Sequence, residues 1–239
     1  MKLKAIFFDI DDTLYSTSEF AARARRNSID AMIRAGLRVP RYVLLRELTE
    51  VVAEFSSNFE HHFDKLILRL PPVSYDGVNP AVMIAAAVVA YHETKFRQLA
   101  PYDDVPPLLA SLSRTNLVRG IITAGLQVKQ AEKLLRLGVY QYLTSNAIFI
   151  SDQIGISKPN VKLYLKACET LGLQPEECMH VGDSPLSDID PANEIGMITV
   201  RSRRSDKYAG TEGRTRPRHE IRSFRELRKL LRSSYNVPV

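Results

Sequence analysis

The period of the hydrophobic positions changes twice along this chain. Lys2 to Asp9 is a short run with aromatic and β-branched residues that ends on an acid, the pattern of a buried strand. From about Ser18 to Leu99 the spacing is helical, with no strand-like run inside it. Ser18 is placed to cap a helix running toward Gly36, and Pro40 to open a second. Asn79-Pro80 supplies the cap and first-turn proline of another helix ending near Leu99, and Pro71 to Gly77 reads as loop. After Pro101, short apolar runs alternate with amphipathic stretches. Helices are expected over 104–114, 127–137, 160–171, 186–195 and 223–232, and strands over 117–123, 147–150, 178–182 and 197–200. Residues 202–218 read as an irregular polar loop.

Strands separated by helices imply crossover connections and a parallel sheet covered on both faces. The economical arrangement is an α/β fold. Residues 1–14 and 101–239 form a doubly wound, Rossmann-like parallel-sheet core, and an all-α insert over 15–100 interrupts it after the first strand. In such sheets the reactive groups collect beyond the carboxyl ends of the strands.

Composition adds little to this picture. Hydrophobic residues make up 45% and charged residues 25% of the 239 positions, which is ordinary for a globular chain and unlike a disordered one. Cys168 and Cys178 fit no metal-binding or disulfide pattern and read as reduced thiols. The most apolar stretch, Ala81 to Tyr91, is shorter than the roughly 20 residues needed to cross a bilayer. No membrane association and a cytoplasmic location are therefore expected. No feature of the chain sets an oligomeric state.

Charge does change the picture locally. Of the net +6, residues 201–239 contribute +8, from twelve Lys/Arg against four Asp/Glu, so the remaining 200 residues sum to −2. A noncatalytic nucleic-acid-binding protein is the reading this segment invites. Tyr208 alone is aromatic in the basic loop, no groove-reading motif is present, and a solvated basic face is the commoner outcome.

The candidate chemistry falls at predicted strand ends. Asp9, Asp11 and Thr13 lie in Asp-Ile-Asp-Asp-Thr-Leu after the first strand. Thr123 ends another in Ile-Ile-Thr-Ala-Gly, where its hydroxyl and nearby amides suit a phosphate. Lys158 precedes Pro159 in a loop before a helix, and Asp183 and Asp188 lie in Gly-Asp-Ser-Pro-Leu-Ser-Asp after an apolar strand. Any one of these acids is as readily a helix cap or turn former. Taken together and in order, they resemble the four motifs of the haloacid dehalogenase superfamily. The insert resembles the helical cap of its subfamily I, and the whole resembles the archaeal-type small-metabolite phosphatases.

That resemblance implies a magnesium-dependent phosphatase acting on a small phosphorylated substrate. Asp9 is then the nucleophile that forms an aspartyl phosphate, and Asp11 protonates the leaving group and later activates water. Thr123, Ala124, Lys158 and Asp11 contact the phosphate. The Asp9 and Asp183 carboxylates and the Asp11 backbone carbonyl hold Mg2+, and Asp188 supports the metal shell or Lys158. Clustered acids would otherwise repel one another and a phosphate, which is a separate reason to expect a cation. The cap is expected to close over the site, with Tyr15, Glu19 and Arg23 facing the substrate.

Asp11 argues against a dehalogenase, which is not expected to keep that acid. A sugar phosphomutase of the same superfamily remains the alternative. Two positions depart from the pattern: Asp12 stands where many relatives have glycine, and Ala124 where Asn or Asp is common. A triose or sugar phosphate such as glyceraldehyde 3-phosphate is the favoured substrate.

Overall fold

The computed structural model describes residues 2–56 and 59–239. Among them lies a six-stranded, all-parallel sheet in the order β3-β2-β1-β4-β5-β6. Its strands are β1 (Ala5–Phe8), β2 (Val118–Thr123), β3 (Ile148–Ile150), β4 (Cys178–Gly182), β5 (Ile198–Ser202) and β6 (His219–Ile221). All four residues of β1 and all five of β4 are buried, as a parallel sheet covered on both faces requires. From β1 the chain winds outward through β2 and β3, then crosses back to place β4 on the other flank of β1. The order therefore reverses at β1, and the carboxyl ends of β1, β2 and β4 surround that switch point.

Most elements lie where the hydrophobic pattern puts them, and the differences have local causes. β1 starts at Ala5, not Lys2, because Lys2 and Lys4 are exposed around the buried Leu3. β6 was not expected: it is three residues long, only Ile221 of it is buried, and it pairs with β5 alone at the sheet edge. One helix was expected over 186–195. The segment instead forms a π-helical turn, Pro185–Ile189, followed by a short α-helix, with Pro191 early in the latter.

The chain separates into two compact units, Met1–Thr17 with Ala100–Val239, and Ser18–Leu99. Helix α1 (Thr17–Arg34) crosses into the second unit, which also contains α2 (Arg41–Phe55), α3 (His62–Leu68) and α4 (Pro80–Gln98). There Ile29, Met32, Leu44, Leu48, Leu66 and Met83 form one apolar core. Asn79 caps α4 by accepting from the Ala81 N–H (2.9 Å), with Pro80 in its first turn. At the root of the insert the Tyr102 N–H donates to the Leu14 carbonyl (3.0 Å), which brings the two crossing strands of chain together.

In the first unit the sheet is covered by α5 (Val105–Leu112), α6 (Gln127–Arg136), α7 (Ser151–Ile154), α8 (Val161–Thr170), α9 (Asp190–Glu194) and α10 (Phe224–Tyr235). Phe7, Ile122, Phe149, Leu163 and Tyr164 pack in one cluster, which also takes in the free thiols of Cys168 and Cys178, 3.8 Å apart. The basic segment is stitched to its own unit. Arg203 pairs with Glu220 (2.7 Å), Arg204 with Asp104 (2.6 Å) and Arg214 with Asp190 (3.6 Å). Arg228 donates to the Pro107 carbonyl and the Ser111 hydroxyl. Among the described residues no helix is long and apolar enough to cross a membrane.

Candidate active site

The turn after β1 is built by its own backbone. The Asp9 N–H donates to the Val181 carbonyl (2.9 Å), which ties the first motif to β4, and the Leu14 N–H closes back on Ile10 (3.0 Å). Between them Asp12 adopts a left-handed conformation, φ 56°. Glycine enters that region freely and Asp tolerates it, which accounts for an Asp standing where glycine is common.

Lys158 joins the first, third and fourth motifs. Its Nζ donates to Asp9 Oδ1 (2.7 Å) and to Asp188 Oδ1 (2.6 Å), and its side chain is 3% exposed. Asp188 is held from all sides. Oδ1 also meets His180 Nε2 (3.1 Å), and Oδ2 accepts the Ser184 N–H (3.0 Å). Burial alone would raise its carboxyl, but Lys158 and His180 hold it well below the usual range. Gly182 leaves room for this arrangement, since a Cβ there would stand 2.3 Å from Asp188 Cγ. The glycine of Gly-Asp-x₄-Asp thus makes space for the last acid of its own motif.

Asp183 is the contrasting acid. It is buried, its Oδ2 has no hydrogen-bond partner among the described residues, and burial with the nearby Asp188 and Asp9 charges pushes it up to about 8. Burial likewise pushes Asp9 up to about 6 despite Lys158. Carboxylate oxygens of Asp9, Asp183 and Asp188 all lie within 4.8 Å of one another. Both Asp188 oxygens are committed elsewhere, whereas Asp183 presents a free one. A set of crowded, desolvated oxygen donors fits a hard divalent cation such as Mg2+.

Asp11 points into a different neighbourhood. Both its oxygens receive Lys133 Nζ (2.7 and 2.8 Å), Oδ1 accepts from the Tyr15 hydroxyl (2.5 Å) and Thr17 Oγ1 (3.1 Å), and Oδ2 from Gln130 Nε2 (3.1 Å). Burial opposes ionisation, but the Lys133 ammonium and these donors hold the carboxyl below its ordinary value. Thr123 ends β2 with a buried hydroxyl that has no hydrogen-bond partner among the described residues, and the Ala124 carbonyl accepts from Gln130 Nε2 (2.6 Å).

Asp9, Asp183, Asp188 and Lys158 therefore meet in one cluster, whose Lys158 bonds Asp9 directly, while Asp11 is held by a separate set of donors. Lys133, Gln130 and His180 lie outside the four motifs. Gln130 and Lys133 are three apart on α6, a stretch that reads in sequence as an ordinary amphipathic helix. His180 was the one visible signal, a histidine inside an apolar strand. A cavity of about 340 Å³ lined by Pro185, Ile189, Arg201 and Arg216 lies elsewhere; none of the predicted site residues lines it.

Similarity to known proteins extends over most of the chain. The family profile described as haloacid dehalogenase-like hydrolase matches residues 3–196. The glyceraldehyde 3-phosphate phosphatase of Methanopyrus kandleri is 47% identical over 240 residues, covering 95% of this chain and 99% of that protein. The protein of the same name from Methanocaldococcus jannaschii is 36% identical over 225 residues, covering 94% and 95%. A crystal structure of a HAD phosphatase from Thermococcus onnurineus, 27% identical, matches with a TM-score of 0.66 over 96% of this chain and 98% of that one. With motifs, fold and profile in accord over most of its length, the chain belongs to the haloacid dehalogenase-like hydrolases.

Proposed function

We propose that this hydrolase is a magnesium-dependent phosphatase of small phosphorylated metabolites, with residues 1–14 and 101–239 as its catalytic core and 15–100 as its cap domain. The observation that carries this reading is the buried cluster in which Lys158 bridges Asp9 and Asp188 while Asp183 keeps a free oxygen. The relatives named for glyceraldehyde 3-phosphate support that triose phosphate as substrate.

The Asp9 carboxylate attacks phosphorus, the P–O bond to the leaving alcohol breaks, and the phosphoryl group passes to Asp9. Lys158 keeps Asp9 Oδ1 in place and offsets the crowded negative charge. The unpartnered Thr123 hydroxyl donates to a phosphate oxygen. Asp11 gives its proton to the leaving oxygen and then takes one from the water that attacks the aspartyl phosphate, which frees phosphate and restores Asp9. In the arrangement observed Asp11 is held as the carboxylate, the form that activates water; acting as the acid requires it to separate from Lys133. Mg2+, held by the Asp9 and Asp183 carboxylates and the Asp11 backbone carbonyl, would supply charge neutralisation to the phosphate.

The test is phosphate release from a panel of phosphorylated metabolites, with Mg2+ and with EDTA, for wild type and Asp9→Asn. Mg2+-dependent release that is lost in Asp9→Asn, with glyceraldehyde 3-phosphate among the best substrates, is expected. Release that survives Asp9→Asn would remove Asp9 as nucleophile, and a folded wild type with no release from any ester would remove the phosphatase reading.

A further inference from the structure

Asp12 is fully buried, yet no step of the proposed reaction uses it. Its Oδ1 accepts the Thr17 N–H (3.0 Å), and its own N–H donates to Thr17 Oγ1 (3.2 Å). Its Oδ2 is buried without a hydrogen-bond partner among the described residues. A buried carboxylate with one bare oxygen needs a counter-charge nearby. Among the described residues the cation within salt-bridge reach is Lys207, whose Nζ stands 3.4 Å from that oxygen.

Lys207 reaches this point because its loop is fastened. It lies in the single turn Asp206–Tyr208, where its N–H donates to Ser205 Oγ (3.1 Å). The loop carbonyls are pinned from beneath by Arg201 of β5, whose Nη2 donates to Tyr208 O (2.9 Å) and Thr211 O (3.1 Å). Arg201 is 2% exposed and has no carboxylate partner among the described residues, so its guanidinium serves that backbone. The basic segment thereby delivers one ammonium to the acidic end of the sheet, where Asp183 also lies within its field.

Resting on the phosphatase reading, we infer that Lys207 is a positioning residue of the reaction. Its ammonium is the counter-charge of buried Asp12, and through Asp12 it fixes the left-handed turn that carries Asp9 and Asp11. Asp12 sits one residue past Asp11 and three past Asp9, so a shift of this turn moves the attacking carboxylate itself. Misplacement of a reacting group by about 1 Å costs on the order of a hundredfold in rate.

The experiment is a double-mutant cycle of Lys207→Met and Asp12→Asn, with Lys207→Arg beside it, read as kcat and KM with saturating Mg2+ and as unfolding midpoint. Lys207→Met is expected to lower kcat about tenfold with KM within about twofold, a fraction of the loss for gross misplacement. Lys207→Arg is expected to recover most of it. In the Asp12→Asn background the Lys207→Met effect is expected to shrink to less than about threefold, since the charge it answers is gone. Wild-type kcat in Lys207→Met, or single effects that multiply fully in the double variant, would overturn the inference. If wild type releases no phosphate, the phosphatase reading falls separately. The pairing is then read from the four unfolding midpoints, where non-additivity sustains it and additivity overturns it.

Discussion

Asp11 and Lys133 stand 122 positions apart in sequence, yet both oxygens of the one lie within 2.8 Å of the ammonium of the other. Neither the first motif nor α6 alone suggests this pairing; the sheet order creates it, by placing β2 and the helix after it against β1. The lysine settles which form of Asp11 the resting protein holds.

Lys133→Met removes that ammonium and leaves Asp11 with the Tyr15, Thr17 and Gln130 donors. It is expected to lower kcat by about tenfold to a hundredfold, short of the 10²–10⁴-fold worth of an acid–base group itself. Steady-state phosphate release decides it, and an unchanged kcat would show that the pair is ornamental to turnover.

Cation binding has a readout that needs no substrate. The free Asp183 oxygen and its crowded neighbours make the metal-free protein carry uncompensated repulsion. Mg2+ at about a hundredfold over its Kd is expected to stabilise the fold by about 2.7 kcal/mol, which in a chain of this size raises Tm by about 5–10 °C. EDTA should abolish the rise, and Asp183→Asn should lack it. A thermal scan with the same rise in Asp183→Asn would move the metal away from that residue.

The elements legible in sequence are those with a strong period or a short run bounded by turn signals. β4 is expected over Cys178–Gly182 and is found there, a run too short for a helix and buried along its whole length. β6 was invisible because His-Glu-Ile carries no period of its own and owes its strand to pairing with β5. In the site, the four motif groups could be read because each is local. Lys133 and Lys207 could not: each looks like a surface lysine until the fold closes around it, and nothing in its flanking residues encodes the carboxylate it meets.

Gly182→Ala tests the packing beneath the fourth motif. The added Cβ would meet Asp188 Cγ at 2.3 Å and Oδ2 at 2.5 Å. Overpacking of this kind costs roughly 1–3 kcal/mol. Because the displaced group is also the one holding Lys158, activity is expected to fall along with the midpoint in urea. Full activity with unchanged stability would mean that the turn relaxes without strain.

Acid sensitivity should carry a contribution from Asp104. Burial alone would raise its carboxyl, but the Arg204 guanidinium and the Phe224 N–H (2.9 Å) hold it below its ordinary value. A carboxyl lowered in the folded state adds stability that is complete above the unfolded value and is lost as pH falls through the folded one. Asp104→Asn is therefore expected to be less stable than wild type at neutral pH, with the gap closing under acid. Urea unfolding at neutral pH and near pH 3 reads this directly; a gap that widens under acid would contradict it.

The hydrogen bond from the Tyr102 N–H to the Leu14 carbonyl has a consequence for how this enzyme could have diversified. The chain leaves the sheet after Leu14 and returns at Tyr102 beside the point it left, so one backbone hydrogen bond joins the two ends of the excursion. The long excursion between these residues can lengthen, shrink or be exchanged while the register of β1 with β2 and β4 is untouched. Under the proposed roles of cap and core, selection on what is recognised can proceed in one stretch of sequence, and selection on how it is cleaved in another.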